Sequence, residues 1–203
     1  MNSFFYFLFS FIVLFSISYG DDWPNWRGSN RDGLSKETGL LQEWPTGGPH
    51  KIWSSDKAGL GYSGFSISNG TLFTLGAFEQ EEHLLAFDAA TGKKLWSLPV
   101  GKLLANSWGD GPRMTPSVAD GKVYALGGKG SLLCVDARTG KRIWQVHMVN
   151  DLGGKVPNWG YTESVLVDQD RVICTPGGKR GVIAALDAKT GKVLMERTRL
   201  RGL

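Results

Sequence analysis

A short motif occurs three times in this sequence and restricts the possible folds more than any other feature. Each copy has an apolar residue, Asp, two variable residues, Thr-Gly, Lys and a second apolar stretch, and the copies start at Ala86, Cys134 and Ala185. They follow one another at steps of about 50 residues, a period typical of repeat architectures. The chain is therefore expected to build one structural unit three times.

The motif itself predicts two strands joined by a tight turn. The Gly allows a left-handed backbone, and the Asp side chain can accept hydrogen bonds from the amides of the turn. A large side chain near the end of each copy is expected to cover the neighbouring repeat and bury apolar area. The residues assigned to this structural docking role are Asp88, Thr91, Gly92 and Trp96, then Asp136, Thr139, Gly140 and Trp144, then Asp187, Thr190, Gly191 and Met195.

Two further strands are predicted before each motif. They are Phe65–Ser68 and Thr71–Leu75, Pro116–Ala119 and Lys122–Leu126, and Val165–Asp168 and Arg171–Thr175. The turns between them fall at Asn69-Gly70, Asp120-Gly121 and Gln169-Asp170. Four antiparallel strands at this period indicate propeller blades, although the Trp-Asp and Gly-His signatures of WD40 repeats are absent.

The spacing Ala-x-Asp-x-x-x-Gly-x-x-x-Trp resembles the tryptophan-docking motif of the quinoprotein-type (PQQ-like) β-propeller family. The first copy has every residue of the pattern, the second has Cys134 in place of Ala, and the third has Met195 in place of Trp. The resemblance implies an all-β quinoprotein-type propeller. Its four-stranded blades would span 61–100, 113–149 and 162–200 and form an open arc of a ring of about eight blades.

The chain is expected to have three parts: a signal peptide over 1–20, an N-terminal segment over 21–60, and PQQ-like repeats over 61–203. The apolar run from Phe4 to Ile17 is short for a bilayer span and ends in small residues, so export to the periplasm or the medium is expected. An uncleaved anchor is the alternative, because no Lys or Arg precedes the run. The opening segment resembles that of exported propellers from planctomycete-type genomes.

Ring closure is the reason to expect a longer protein. Residues Lys51 to Ser54 imitate the end of the motif, and they are interpreted as an outer strand that completes the last blade of a ring. Three blades do not close a propeller, since rings have about four to eight. We therefore expect this chain to be the N-terminal fragment of a longer protein.

The charge distribution and the reactive residues limit the classes of function expected for this chain. The net charge of +4 is spread over turns, so no nucleic-acid partner is expected, and no membrane span follows the signal. His50, His83 and His147 share no metal-like spacing, and no Ser lies in a nucleophile motif, so no catalytic or metal residue is assigned. Cys134 and Cys174 could pair in an exported chain or remain two buried thiols.

The strongest candidates for binding come from their place in the repeat. The first strand of each blade lines the central channel, and the alignment puts Tyr62, Arg113 and Thr162 in register just before it, with Glu163 one step on. An anion or a cofactor could bind there. Alternatively, Arg113 and Glu163 could form a structural ion pair or be solvated strand ends. Trp108 and Trp159, in the segments between blades, could cover the same mouth or simply pack against it.

Two functions are compatible with these features. The first is an exported scaffold that binds an unknown protein or a small molecule without catalysis. The second, implied only by the family resemblance, is the front part of a PQQ-dependent dehydrogenase, which would need PQQ and Ca²⁺ held by carboxylate and amide oxygens. Glu163 is the only candidate calcium ligand. The adjacent Cys pair found in many quinoprotein alcohol dehydrogenases is missing.

Overall fold

The computed structural model describes residues 20–178 and 182–197, and within them the regular structure is entirely β. The signal peptide predicted over 1–20 lies, except for Gly20, outside the described residues. Three antiparallel four-stranded sheets are present, each in the order of the sequence. No helix in the described part is long and apolar enough to cross a membrane.

The strands follow the predicted pattern closely. The first sheet contains β1 (Phe65–Ser68), β2 (Thr71–Phe78), β3 (Glu81–Asp88) and β4 (Lys94–Lys102). The second contains β5 (Ser117–Ala119), β6 (Lys122–Leu126), β7 (Ser131–Asp136) and β8 (Arg142–His147). The third contains β9 (Leu166–Asp168), β10 (Arg171–Cys174), β11 (Ile183–Asp187) and β12 (Val193–Arg197). The all-β prediction of three four-stranded blades is thus confirmed.

The first hairpin of the first two blades is closed by a two-residue loop. Asn69 and Gly70 have φ of 49° and 70°, and Asp120 and Gly121 have φ of 49° and 68°. Two consecutive positive φ angles match the right-handed twist of the flanking strands, which is why Asn-Gly and Asp-Gly are favoured there. These turns fix the register that the alternating strands need.

The Asp-Thr-Gly turn has the same hydrogen bonds in all three blades. In the second blade, the Thr139 amide and hydroxyl donate to Asp136 Oδ1 at 2.8 and 2.6 Å, and the Gly140 amide donates to the Asp136 carbonyl at 2.9 Å. Asp88 and Asp187 make the equivalent bonds. The threonine hydroxyl is the main reason that the pKa of each aspartate is lowered.

The tryptophans of the first two motif copies each pack on the turn of the following blade. The Trp144 ring covers Gly191, where an added Cβ would lie 2.8 Å from the indole, and its N–H donates to the Ala188 carbonyl at 3.0 Å. Trp96 covers Gly140 and donates to Ala137 at 3.2 Å. A β-bulge precedes the motif turn in every sheet, a device that re-aims a strand. The tryptophans thus join the blades into an open arc.

Trp53 occupies the same kind of position ahead of the first blade. Its ring lies over Gly92, and its indole N–H donates to the Ala89 carbonyl at 3.0 Å. Residues 51–54 form no strand in the structure. The outer strand expected at Lys51 to Ser54 therefore stays a prediction, while its tryptophan docks as Trp96 and Trp144 do.

The first strands of the three sheets lie next to one another: β1 contacts β5, and β5 contacts β9. The N-terminal segment crosses them. Trp23 exchanges both backbone hydrogen bonds with Ile67 at 2.9 Å, and the Pro24 carbonyl accepts from the Val118 amide at 2.8 Å. This segment covers strand edges that would otherwise be unpaired, and it brings residues 26–31 to one end of the inner strands.

Candidate functional site

A cleft of about 510 Å³ opens at the end where the inner strands begin. Four of the residues selected from the repeat alignment line it: Tyr62, Arg113, Thr162 and Glu163. The strand entrances are close together, since the Thr115 amide donates to Ser164 Oγ at 3.0 Å. The volume is in the range of small-molecule sites. That these residues bind a ligand stays a prediction.

Arg113 connects the two segments that separate the blades. Its Nε donates to the Trp159 carbonyl at 3.0 Å, and Nη2 donates to the Gly109 carbonyl at 2.8 Å. The guanidinium also lies 5.1 Å from the centre of the Tyr62 ring, within cation–π range. The side chain is therefore fixed in one orientation at the wall of the cleft.

Glu163 is held by its own blade rather than by Arg113. The Thr175 amide donates to Oε1 at 2.8 Å, and the Thr175 hydroxyl donates to Oε2 at 2.6 Å. Within the described residues the ion pairs join Glu81 to His83 and Asp170 to Arg171. The structural ion pair considered between Arg113 and Glu163 is thus not formed there.

Trp108 and Trp159 lie beside the cleft, on its rim. Their ring centroids are 5.5 Å apart with an interplanar angle of 51°, and their exposed fractions are 75% and 49%. The Tyr62 hydroxyl donates to the Trp108 carbonyl at 3.3 Å. Asn106 Nδ2 donates to the Asn158 carbonyl at 2.8 Å, which ties one segment to the other. The structure therefore brings all six predicted mouth residues into one region.

Arg31 also lines the cleft, and the repeat alignment did not identify it. Its guanidinium donates to the Ser164 and Val165 carbonyls at 3.1 and 2.6 Å and to Ser117 Oγ at 3.3 Å. Partial burial lowers its pKa. Arg31 lies in a turn outside the repeats, with a φ of 58°, so the repeat alignment could not relate it to the channel. A positive φ at a non-glycine residue is unusual, but it is seen in the backbone conformation and not in the sequence.

Glu82 is a second charged residue that the alignment missed. The side chain is completely buried, and its oxygens accept from the Leu104 amide at 3.0 Å and the Gly128 amide at 2.7 Å. Burial raises its pKa, against the opposing effect of these amides. Glu82 thus holds the start of the segment that carries Trp108. Glu82 lies between Glu81 and His83 at the polar start of β3, so the sequence does not distinguish it from its exposed neighbours.

The two cysteines are separate, buried thiols. Burial raises the pKa of Cys134 to about 11 and that of Cys174 to about 12. A thiol reacts through its thiolate form, so neither side chain has the character of a nucleophile. Of the two alternatives left open by the sequence, the structure shows unpaired thiols.

Comparison with known proteins identifies the repeat. The family described as outer membrane protein assembly factor BamB matches residues 45–201. Quinohemoprotein alcohol dehydrogenase from Comamonas testosteroni aligns over 87% of this chain and 27% of its own, with 21% identity and a TM-score of 0.57. A europium-containing methanol dehydrogenase aligns over 70% of this chain and 26% of its own, with 22% identity and a TM-score of 0.50. No curated protein matches the chain.

These likenesses concern the fold. Sequence identities below 25% with the dehydrogenases establish a common propeller architecture and nothing about chemistry. The chain spans roughly a fifth to a quarter of the length of the quinoprotein dehydrogenases that it matches. The likeness to the dehydrogenases therefore specifies the architecture of this chain and not its function.

Proposed function

This chain belongs to the PQQ-like β-propeller repeat family, whose model is described as outer membrane protein assembly factor BamB, and we propose on this basis that it is an exported scaffold that binds a partner protein. The observation that supports a binding role is the pair of exposed indoles, Trp108 and Trp159, fixed on the rim of the cleft. Exposed aromatic side chains in a rigid setting are typical of interaction sites.

The rival function, a quinoprotein dehydrogenase, needs a calcium donor set that the described residues do not match. Ca²⁺ takes six to eight oxygen ligands, usually with several carboxylates. Within the described ranges there is no cluster of three or more His, Cys, Asp or Glu, and both oxygens of Glu163 accept hydrogen bonds from Thr175. The described residues at this mouth therefore do not fit the calcium site that the cofactor requires.

Export is part of the proposal. The apolar stretch at the N-terminus followed by charge at Asp21 supports cleavage before that residue and delivery to the periplasm or the medium. Mass spectrometry of the protein from the producing cell should give a mature N-terminus at Asp21. Recovery of intact Met1 in the membrane pellet would contradict cleavage and favour the anchor.

Binding is tested by site-specific photo-crosslinking in the full chain. A photoreactive amino acid at position 159 should give a protein adduct in the producing cell, because that side chain lies on the rim. The same amino acid at position 44, where Trp44 is 71% exposed, serves as the matched control and should give none. Equal adducts at both positions, or none at 159, would contradict a specific scaffold. Dye-linked alcohol oxidation after addition of PQQ and Ca²⁺ would support the dehydrogenase instead.

A further inference from the structure

Five of the eight tryptophans fall into two sets, and one set has unused binding capacity. Trp53, Trp96 and Trp144 each donate the indole N–H to an alanine carbonyl. Trp108 and Trp159 make no such bond within the part of the chain that the structure describes, and their rings face solvent. Two large apolar faces and two free N–H donors are thus available side by side.

The rim is held rigidly although it contributes little to the core. Arg113 bonds to a carbonyl on each segment, Tyr62 bonds to the Trp108 carbonyl, and Asn106 bonds to the Asn158 carbonyl. A Cβ on Gly109 would overlap the Tyr62 hydroxyl, so that glycine permits the close approach. An interaction site gains affinity when its groups are ordered before binding.

The adjoining cleft has an excess of fixed positive charge. Arg31 and Arg113 both line it, and among the described residues neither forms an ion pair with a carboxylate. Buried Glu82 acts on Arg113 only at longer range, and Glu163 is already hydrogen-bonded by Thr175. The donors of both guanidiniums point largely at carbonyls, which fixes the charges in place without neutralising them. A partly buried cation that lacks a carboxylate partner favours the binding of an anion.

The size of the combined surface indicates an extended ligand. Trp108 and Trp159 lie next to the cleft but do not line it. A small anion that fills the cleft would leave both indoles exposed. A chain segment can place one carboxylate in the cleft and cover the indoles with the residues beside it. Trp, Tyr and Arg are also the residue types that dominate the energy of protein–protein interfaces.

We propose that the cleft and the rim tryptophans form one binding surface for an extended segment of a partner protein. In this segment Asp, Glu or the terminal carboxylate adjoins an aromatic, proline or aliphatic residue. The inference rests on the proposed scaffold function and specifies the chemistry of its partner. Arg31 and Arg113 select the carboxylate. Trp108 and Trp159 stack on the adjoining residue and donate their N–H groups to backbone carbonyls of the bound segment, as aromatic grooves do with extended peptides.

The test is selection of a random dodecapeptide display library on the full chain, with counterselection on the Trp108→Ala/Trp159→Ala double variant. Selected peptides should be enriched in an acidic residue next to an apolar one. Their affinity should fall at least about tenfold with Trp108→Ala, the size expected of an interface hot spot. Trp44→Ala and Arg138→Gln, which change an exposed indole and an exposed cation elsewhere, should leave the affinity unchanged.

The charge requirement is measured in two ways, because Arg31 also holds the N-terminal segment. Arg31→Gln should weaken peptide binding at least about tenfold, and raising NaCl from 50 to 500 mM should weaken binding to the unchanged protein severalfold by screening. Peptides without acidic enrichment, salt-independent binding, or displacement of the peptide by a neutral oligosaccharide would overturn this inference. If the crosslink at position 159 were still formed in that case, the scaffold function would stand without this peptide chemistry. Absence of the crosslink would contradict the scaffold function itself.

Discussion

The docking tryptophans and the rim tryptophans show how surroundings decide the role of one residue type. Trp144 has a glycine under its ring, a carbonyl for its N–H and only 8% exposure. Trp108 has 75% exposure and no such partner in the described residues. The first kind of indole joins blades because burial and hydrogen bonding are both satisfied within the chain. The second kind leaves both unsatisfied, which is the condition for binding something else.

The comparison predicts its largest effect when one indole of each kind is removed. Trp144→Ala should lower the free energy of unfolding by about 3–5 kcal/mol, because it opens a cavity between the second and third blades. Trp108→Ala should change it by no more than about 0.5 kcal/mol, as expected for an exposed site. Urea denaturation followed by circular dichroism measures both. Similar losses for the two variants would remove the distinction.

The glycine under a docking indole provides a second test. Gly140 has a φ of 71°, and an added Cβ would lie 2.8 Å from the Trp96 ring. Gly140→Ala therefore combines a left-handed alanine, about 1 kcal/mol, with overlap against the indole, about 1–3 kcal/mol more. Gly121 has a φ of 68° with no atom within 4 Å of its added Cβ, so Gly121→Ala should show the first cost alone. Equal costs would mean that the indole moves aside freely.

The sequence predicted the docking half of this comparison well because that half is local. The Asp-Thr-Gly turn and the tryptophan after it are close in the chain, and three aligned copies show which positions are equivalent. Even Trp53 could be identified from the imitation of the motif around it, although residues 51–54 do not pair as a strand.

The rim was only partly predictable because its contacts join distant segments. Register placed Tyr62, Arg113, Thr162 and Glu163 at the mouth. It could not show that the Arg31 guanidinium reaches Ser164 and Val165, or that Glu163 bonds to Thr175 instead of Arg113. Such choices depend on three-dimensional proximity, for which a single sequence has no pattern. The part of the chain that deviates from the repeat is the part that carries the proposed site.

The two regions should also respond oppositely to pH. Burial raises the pKa of Glu82 above its ordinary value of 4.5, so between the unfolded and folded pKa values the folded protein holds a proton that the unfolded chain has released. Stability should therefore fall as pH rises from 4.5 through the higher folded pKa. Glu82→Gln should abolish this slope, measured by urea unfolding at a series of pH values, although the loss of an acceptor lowers stability overall. An unchanged slope in the variant would assign the effect to another group.

The docking turns supply the opposite control. The Thr139 hydroxyl and amide lower the pKa of Asp136 below its ordinary value of 3.8. The stability from this carboxylate is therefore present above pH 3.8 and is lost as pH falls through the lower folded pKa. Asp136→Asn should reduce the loss of stability in acid and leave the slope due to Glu82 in place. Coupled changes in both slopes would mean that rim and docking turn titrate together.

The smallest expected effect concerns Met195, which stands where the other copies of the motif have tryptophan. Its side chain is 44% exposed, and the described residues place no glycine turn beneath it. Met195→Trp restores the sequence motif but not the surface on which an indole docks, so the free energy of unfolding should change by no more than about 0.5 kcal/mol. Trp144→Met is the reverse exchange at a complete site and should be clearly destabilising, because the methionine lacks the N–H that bonds to Ala188. If Met195→Trp stabilised this chain by 2 kcal/mol or more, the indole alone would be sufficient, and the glycine and carbonyl of the next blade would not be what separates docking from rim tryptophans.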